Sequence, residues 1–465
     1  MGTLTMKFGG SVVGTPAALK QLAQIVQQEH QARGQLVLIV SALDGITDQL
    51  YDAIQQALLD NRRGYRRISA NLRTRHLALI NQLSLGDIEQ RSLEADIDQL
   101  FFDLLALCQK LAETTGDVPM NDTMDAILGF GERLSARIIA AFLRQHGLRG
   151  VALDATHLIV TDDVYGNATP DMKLTRKRVE ENLLPLLERG IIPVVTGFIG
   201  ATKSGKPTTL GRGGSDYTAS VISAIIEADE LWMWSDVEGM MTCDPNIFRQ
   251  ARVIPELSYE ELAEMAYFGA KIIHTKMIWP LREHNIPLRV RGVFTPEATG
   301  TLIHANANSN HNPIKAVTAI QGIGLLSEQS GTLIKITKLV DALLFDVLGT
   351  RAEVTISAQS ASRSFICFVI PTSAGPEAVR TMHAELSQKL NNTIEQSHWE
   401  AQPVSIVTVI GSKFDTQAGI TAKVLQALEG IRILALAQGP SYCSLSVVIE
   451  PKAMRQAIEQ IHALI

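Results

Sequence analysis

Cysteine is scarce: Cys108, Cys243, Cys367 and Cys443 are the four in 465 residues, without CxxC spacing or nearby histidines. That pattern supports neither a disulfide framework nor a zinc site. An excess of charge of one sign is lacking as well. With 19% charged residues and a formal net charge of -6, the chain offers no electrostatic reason for a nucleic-acid partner or an anionic membrane surface. A small anionic substrate must therefore find local positive charge. No apolar run approaches the ~20 residues of a membrane helix; the stretch from Gly190 to Gly200 is broken by Pro193 and Thr196. The start, Met1 to Lys7, has no signal-peptide core, and Met6 stands where a myristoylation motif requires Ser or Thr. The expected compartment is the cytoplasm.

What is present is an α/β pattern. Hydrophobic residues make up 46% of the chain, enough at this length for a large core and a second unit. Leu4 to Phe8 and Leu36 to Val40 read as buried strands joined by a helix over Thr15 to Arg33, where Leu19, Leu22, Ile25 and Val26 recur at helical spacing. Val151 to Leu153, Ile191 to Ile199, Glu230 to Trp234 and Pro287 to Val290 are further strand candidates. A mostly parallel sheet is expected, with ligand chemistry at the carboxyl ends of its strands. Leu-, Gln- and Arg-rich helical sequence from Asp48 to Thr115 reads as an insertion, and the polar stretch Asn306 to Pro313 as a linker.

The tail contains an internal repeat. Ala358-Gln359-Ser360-Ala361-Ser362 before a strand at Phe365 to Ile370 matches Ala437-Gln438-Gly439-Pro440-Ser441 before Leu445 to Ile449. Each copy follows a helix (Lys338 to Leu348; Thr421 to Leu428) and a strand (Val354 to Ala358; Ile433 to Ala437). The amide and hydroxyl groups of such turns suit a small polar ligand; two packing modules whose turns merely shape the loop are the alternative.

Chemistry gathers in the first part. A strand ending in Lys7 before Gly9, Gly10 and Ser11 lets backbone N–H groups approach phosphate while the ammonium supplies a point charge. In Thr209-Leu210-Gly211-Arg212-Gly213-Gly214-Ser215-Asp216-Tyr217, glycines and a helix N-terminus converge on an anion site, with Arg212 able to grip a carboxylate. Gly200 to Lys206 fits the start of a Walker A loop, but Pro207 replaces the magnesium-binding Ser or Thr, so the segment reads as an exposed turn between strands.

Taken in order, Lys7 to Ser11, Ser41-Ala42 with Gly45-Ile46-Thr47, Gly131-Glu132-Arg133-Leu134-Ser135, Gly211 to Tyr217, Ser235 to Gly239, and Phe268-Gly269-Ala270-Lys271-Ile272 resemble the motif set of aspartate kinases of the amino-acid kinase superfamily. The repeated tail is similar to that family's paired ACT regulatory domains. The resemblance implies an amino-acid-kinase-like sandwich around a mostly parallel sheet over residues 1–304, with a helical insertion at about 48–120. It implies two α+β ACT-like modules at 314–392 and 393–465, whether or not interleaved.

The implied reaction is transfer of the γ-phosphoryl of ATP, with Mg²⁺, to the β-carboxylate of L-aspartate, giving 4-phospho-L-aspartate. This is the first step of lysine, threonine and methionine biosynthesis. Arg212, Gly213, Gly214 and Ser215 would hold aspartate, Glu132 would face its ammonium, and Thr47 would complete the pocket. Lys7 and Lys271 would stabilise the transferring phosphoryl group, and Asp216 would orient the lysines and the metal-phosphate network. Gly9, Gly10, Ser11, Ser235, Asp236, Met241, Lys271 and Ile272 would meet the nucleotide. No residue is assigned as a protein metal ligand. Gln359, Ser360, Ser362, Gln438 and Ser441 would bind an effector, lysine or threonine, in a homodimer or larger assembly. No dinucleotide-binding strand-turn-helix follows the second module, so no fused dehydrogenase is expected in these 465 residues.

The sequence departs from the family pattern at Met241 (usually Tyr), Asn246 (usually Arg), Val12 (usually Ser) and His274-Thr275 (usually His-Pro). Asn246 removes a cation that could meet phosphate, with Lys276 a candidate to replace it. Another amino-acid kinase and a non-catalytic amino-acid sensor remain as alternative classes.

Overall fold

A computed structural model describes residues 2–114, 121–269, 273–307, 313–327, 333–348, 353–359, 364–369, 375–391, 399–412, 414, 416 and 419–465. The chain divides into two compact units: residues 1–240, 255–259 and 272–306, and residues 241–254, 260–271 and 307–465.

The first unit is built on an eight-stranded sheet. Its strands are β1 (Thr3–Phe8), β2 (Gln35–Val40), β3 (Gly150–Leu153), β5 (Ile192–Thr196), β8 (Glu230–Ser235), β9 (Glu256–Leu257), β10 (Leu288–Gly292) and β11 (Thr301–Ile303), in the order β3-β5-β2-β1-β8-β10-β11-β9. β4 (Val160–Thr161), β6 (Ile199–Thr202) and β7 (Pro207–Thr209) form a smaller sheet. β3, β5, β2, β1, β8 and β10 run parallel, so their carboxyl ends share one edge, as the apolar runs lead one to expect.

β1 sits in the middle because it is buried on both faces: Leu4, Met6 and Phe8 are sealed, and so is Thr5. The crossover helix Pro16–Arg33 starts where Thr15 Oγ1 accepts from Ala18 N at 3.2 Å and Pro16 fills the first helical position. It ends at Gly34, with φ +90°.

The insertion comprises helices Ile46–Leu58, Arg62–Asn81 and Asp87–Ala112, packed with Phe130–Gln145 through Leu50, Ile54, Leu72, Ile97, Leu104 and Ile138. His76 is buried among them, and burial lowers its pKa to about 4, so it packs as a neutral ring.

One expected strand divides. Ile191 to Ile199 becomes β5 and β6 in different sheets, because the chain turns at Gly197 and Phe198, whose φ is +71°. Gly197 admits the turn: a Cβ there would lie 2.6 Å from Ser215 Oγ. The Walker-like segment is the turn of an antiparallel hairpin between β6 and β7, as read from its composition.

The second unit holds a six-stranded sheet of β12 (Ile314–Ser327), β13 (Glu353–Gln359), β14 (Ser364–Val369), β15 (Trp399–Gly411), β16 (Ile433–Gln438) and β17 (Ser444–Ile449), ordered β13-β14-β12-β15-β17-β16. The long antiparallel strands β12 and β15 pair along their lengths, from Ile314 with Gly411 to Ser327 with Trp399. Ile323 and Leu325 of β12 join Trp399 and Ala401 of β15 in a core with Leu343, Met382 and Leu386. The other halves, Val317 with Val407 and Val409, share a core with Val424, Val447 and Ile461. A further cluster joins the edge strands through Ile356 and Ala435, with Phe268 packed in. Lys315 Nζ reaches Glu261 Oε2 at 2.7 Å in the same unit.

Candidate active site

Three backbone turns meet at the carboxyl end of β1. The first is the 3₁₀ turn Gly10–Val12; the second is the start of helix Ile46–Leu58 after Gly45 (φ +71°). The third is the start of helix Gly214–Ile225 after Gly213 (φ +70°). Unpaired N–H groups at helix starts, with the helix dipoles behind them, favour an anion. They enclose a cavity of about 330 Å³ whose lining includes Lys7, Gly10, Ser41 to Gly45, Thr47, Glu132, Phe198 and Gly211 to Asp216.

The close approach of these turns is demanding. A Cβ on Gly10 would lie 2.6 Å from Ala42 O, and one on Gly213 would lie 2.2 Å from His274 Cβ in a left-handed conformation that disfavours any side chain.

The cavity has charges of both signs. Lys7 Nζ lies 2.6 Å from Asp216 Oδ1, with both side chains about nine-tenths buried. Glu132 comes from the first turn of helix Phe130–Gln145. Its Oε1 accepts from Ala42 N at 3.0 Å, whereas its buried Oε2 has no partner. Burial pushes the carboxyl up to about 7, against the opposing pull of the Ala42 amide, Arg133 and Lys7. A buried carboxylate oxygen without a donor is poised for a cation from outside the chain.

Sequence reasoning did not single out the brace beneath the Arg212 loop. Asp125 is fully buried in helix Asp122–Leu128. Its Oδ2 accepts from Thr209 N at 2.7 Å and Gly166 N at 2.9 Å, and its Oδ1 from Thr209 Oγ1 at 3.1 Å. Burial raises its pKa and these three bonds oppose the rise. From the other side, Lys276 Nζ donates to Leu210 O at 3.1 Å and to Asn167 Oδ1. Burial lowers the Lys276 pKa while Asp162 acts to raise it. An aspartate within the apolar run Met124 to Leu128 is the signal that could have revealed Asp125. Lys276, considered as a phosphate cation, has its ammonium on the Leu210 loop.

Of the expected substrate and catalytic residues, Lys7, Thr47, Glu132, Arg212, Gly213, Gly214, Ser215 and Asp216 line one cavity together with Gly10. Gly9 N donates to Trp234 O at 3.4 Å, and Ser11 lies exposed in the 3₁₀ turn. Ser235 ends β8 and Asp236 follows it, with Ser235 Oγ 3.0 Å from Asp236 Oδ1; neither lines the cavity. Met241 bridges Val253 in the second unit. Lys271 and Ile272 lie outside the described residues, as do Ser360 and Ser362. Gln359 ends β13 and Gln438 ends β16, and Ser441 Oγ accepts from Cys443 N at 3.3 Å. Among the described residues, no group of three or more His, Cys, Asp or Glu forms a metal cage, and no helix is long and apolar enough to cross a membrane.

The chain is 29% identical over 466 residues to Bifunctional aspartokinase/homoserine dehydrogenase 1, chloroplastic, of Arabidopsis thaliana, covering 98% of this chain and 50% of that protein. It is 27% identical to Aspartokinase 2, chloroplastic, of the same plant, covering 99% of this chain and 84% of the relative. The chain spans about half the length of several bifunctional relatives that it matches. The crystal structure of E. coli aspartokinase III in complex with aspartate and ADP (R-state) superposes with a TM-score of 0.78 at 26% identity, covering 100% of this chain and 99% of that one. An ACT domain model matches residues 407–464. The amino acid kinase family model matches residues 3–292, more than half of the sequence and all of the cavity, and the chain belongs to that family.

Proposed function

We propose that the chain is an aspartate kinase, transferring the γ-phosphoryl group of ATP to the β-carboxylate of L-aspartate to give 4-phospho-L-aspartate. The observation that carries this reading is the pairing, in one cavity, of a buried carboxylate oxygen without a donor on Glu132 with Arg212 and two helix N-termini. That arrangement suits a zwitterion bearing a second carboxylate: Glu132 takes the ammonium, Arg212 a carboxylate, and Thr47 with Ser215 flanks the acceptor group.

The acceptor needs no general base, because a side-chain carboxyl with a pKa of about 3.9 is ionised near neutrality. Its oxygen forms the new bond to the γ-phosphorus while the bond from phosphorus to the β,γ-bridging oxygen breaks and ADP leaves. Lys7, held by Asp216 at 2.6 Å, offsets the charge that builds on the transferring oxygens. The remaining contribution is positioning by the braced 209–213 loop.

Mg²⁺ would be carried on the nucleotide phosphates, with Asp216 a cavity carboxylate that could meet it. When bound, Mg²⁺ neutralises phosphate charge. We assign the nucleotide to the edge of the first unit formed by Gly9, Gly10, Ser11, Ser235 and Asp236.

The repeated modules, divided at about residues 314–392 and 393–465, are read as an amino-acid sensor. Gln359, Ser360, Ser362, Gln438 and Ser441 would be around an end-product ligand, lysine or threonine, and the modules would pair between subunits. This makes the reaction a feedback-controlled entry into lysine, threonine and methionine biosynthesis.

The test is ADP release with Mg-ATP across a panel of L-aspartate, L-glutamate and N-acetyl-L-glutamate. Release that requires L-aspartate supports the proposal. Turnover of glutamate or its N-acetyl derivative in preference to aspartate would overturn it.

A further inference from the structure

A second cleft, of about 360 Å³, lies in the same unit away from the Arg212 loop. Its walls are one face of helix Phe130–Gln145 (Ala136, Arg137, Ala140, Arg144), one face of helix Asp87–Ala112 (Ser92, Leu93, Asp96) and the carboxyl ends of β3 and β5 (Leu153, Asp154, Thr196). The carboxyl ends of parallel strands are where open α/β sheets hold ligands. Small residues at positions 136 and 140, one turn apart, open the cleft between the helices.

Two of its charged groups are already committed. Arg144 donates through its Nε to Glu89 Oε1 at 3.1 Å and through its Nη1 to Gly150 O at 2.9 Å. Asp154 accepts from Arg133 Nε at 2.6 Å and from Thr156 N at 2.9 Å. Two are not. Arg137 Nη1 donates to the Arg133 carbonyl at 3.1 Å, and no carboxylate among the described residues pairs with its guanidinium. The Asp96 carboxylate has neither an ion pair nor a hydrogen bond to a described residue, although both side chains line the same cleft. Uncommitted charges of opposite sign in one cleft that Leu93, Ala136, Ala140 and Leu153 also line match a molecule carrying both charges and a short apolar side chain.

We propose that this cleft binds a small aliphatic α-amino acid, its carboxylate on Arg137 and its ammonium on Asp96. The site is distinct from the Glu132 cavity and from the repeated modules, and does not depend on the aspartate kinase reading. Helix Phe130–Gln145 carries Glu132 in its first turn and Arg137 farther along, so ligand in the cleft would lie on the element that positions Glu132.

The test is calorimetric titration of the whole chain using L-leucine and L-methionine as probes. The expected result is binding of at least one probe, weakened about 10-fold or more in Arg137→Gln and in Asp96→Asn. 4-Methylpentanoate, which lacks the ammonium, should bind similarly weakly, and ATP turnover by the two variants should stay within about twofold of wild type. Asp96 is exposed, so its variant provides the reading even if Arg137→Gln folds poorly. Absence of binding by both probes, or equal binding by wild type and Asp96→Asn, would overturn the proposal.

Discussion

Asp125 and Thr209 are joined twice, by backbone N–H to carboxylate at 2.7 Å and by hydroxyl to carboxylate at 3.1 Å, and Asp125 also takes the Gly166 amide. The buried carboxylate thereby fixes the strand end that leads into Gly211, Arg212 and Gly213. Asp125→Ala orphans the buried Thr209 amide, at about 1–3 kcal/mol, and also frees the half-buried Gly166 amide. The expected result is a lower melting temperature together with a KM for L-aspartate raised about 10-fold or more, while the KM for ATP changes less than about threefold. Asp125→Asn should recover part of the loss. Folded Asp125→Ala protein with an unaltered aspartate KM would show that Asp125 supports stability alone.

Glu132 links pH to both stability and substrate binding. Its carboxyl is pushed up to about 7 by burial, against about 4.3 in an unfolded chain. Between these values the folded state binds more protons, so the stability associated with the protonated group is complete below about pH 4.3 and is lost as pH rises through about 7. In the absence of aspartate, Glu132→Gln should therefore raise the melting temperature relative to wild type at pH 8 more than at pH 5. An ammonium ligand requires the ionised carboxylate, so wild-type KM for L-aspartate should rise toward tenfold per unit as pH falls below about 7. Glu132→Gln should bind aspartate weakly and without that slope. Parallel pH profiles for the two proteins would count against the role.

Lys7 and Asp216 should act as one unit. Lys7→Met should lower kcat about 100-fold or more, in the range for removing a preorganised charge from a developing oxyanion. Asp216→Ala, which frees the ammonium to swing, should do nearly as much. The double variant should lose little beyond the worse single change. Strictly additive losses in kcat would show that the 2.6 Å ion pair has no shared catalytic role.

Gly213 should tolerate no side chain. Gly213→Ala brings a Cβ to 2.2 Å from His274 Cβ at φ +70°, and the helix start must shift. Loss of aspartate turnover is expected with near-normal secondary structure by circular dichroism. Arg212→Met, which keeps the backbone, should raise KM for aspartate about 10- to 100-fold, since it removes a charge-assisted hydrogen bond. An aspartate KM in Arg212→Met close to wild type would place the substrate carboxylate elsewhere.

The local parts of this site were legible because the information is local. Lys7 at a strand end, Thr15-Pro16 at a helix start and the glycines at 211, 213 and 214 state their conformations through residue type alone. The brace was not legible, because Asp125 and Thr209 are 84 residues apart; the apolar run around Asp125 marks a buried carboxylate without naming its partner. The split at Gly197 and Phe198 was hidden for a related reason: an apolar run reports burial, while the turn depends on Ser215 packing behind it. In the tail, the repeat exposed matching strands, but how β12 and β15 divide their halves between two cores depends on register, which no single segment encodes.

The most direct test is trapping of the acyl phosphate: ATP, Mg²⁺, L-aspartate and hydroxylamine with the whole chain, followed by identification of the hydroxamate. Formation of the β-hydroxamate of aspartate, dependent on ATP and abolished in Lys7→Met, is the expected result. No aspartate-dependent hydroxamate from folded protein at millimolar ATP would contradict transfer to the aspartate side chain.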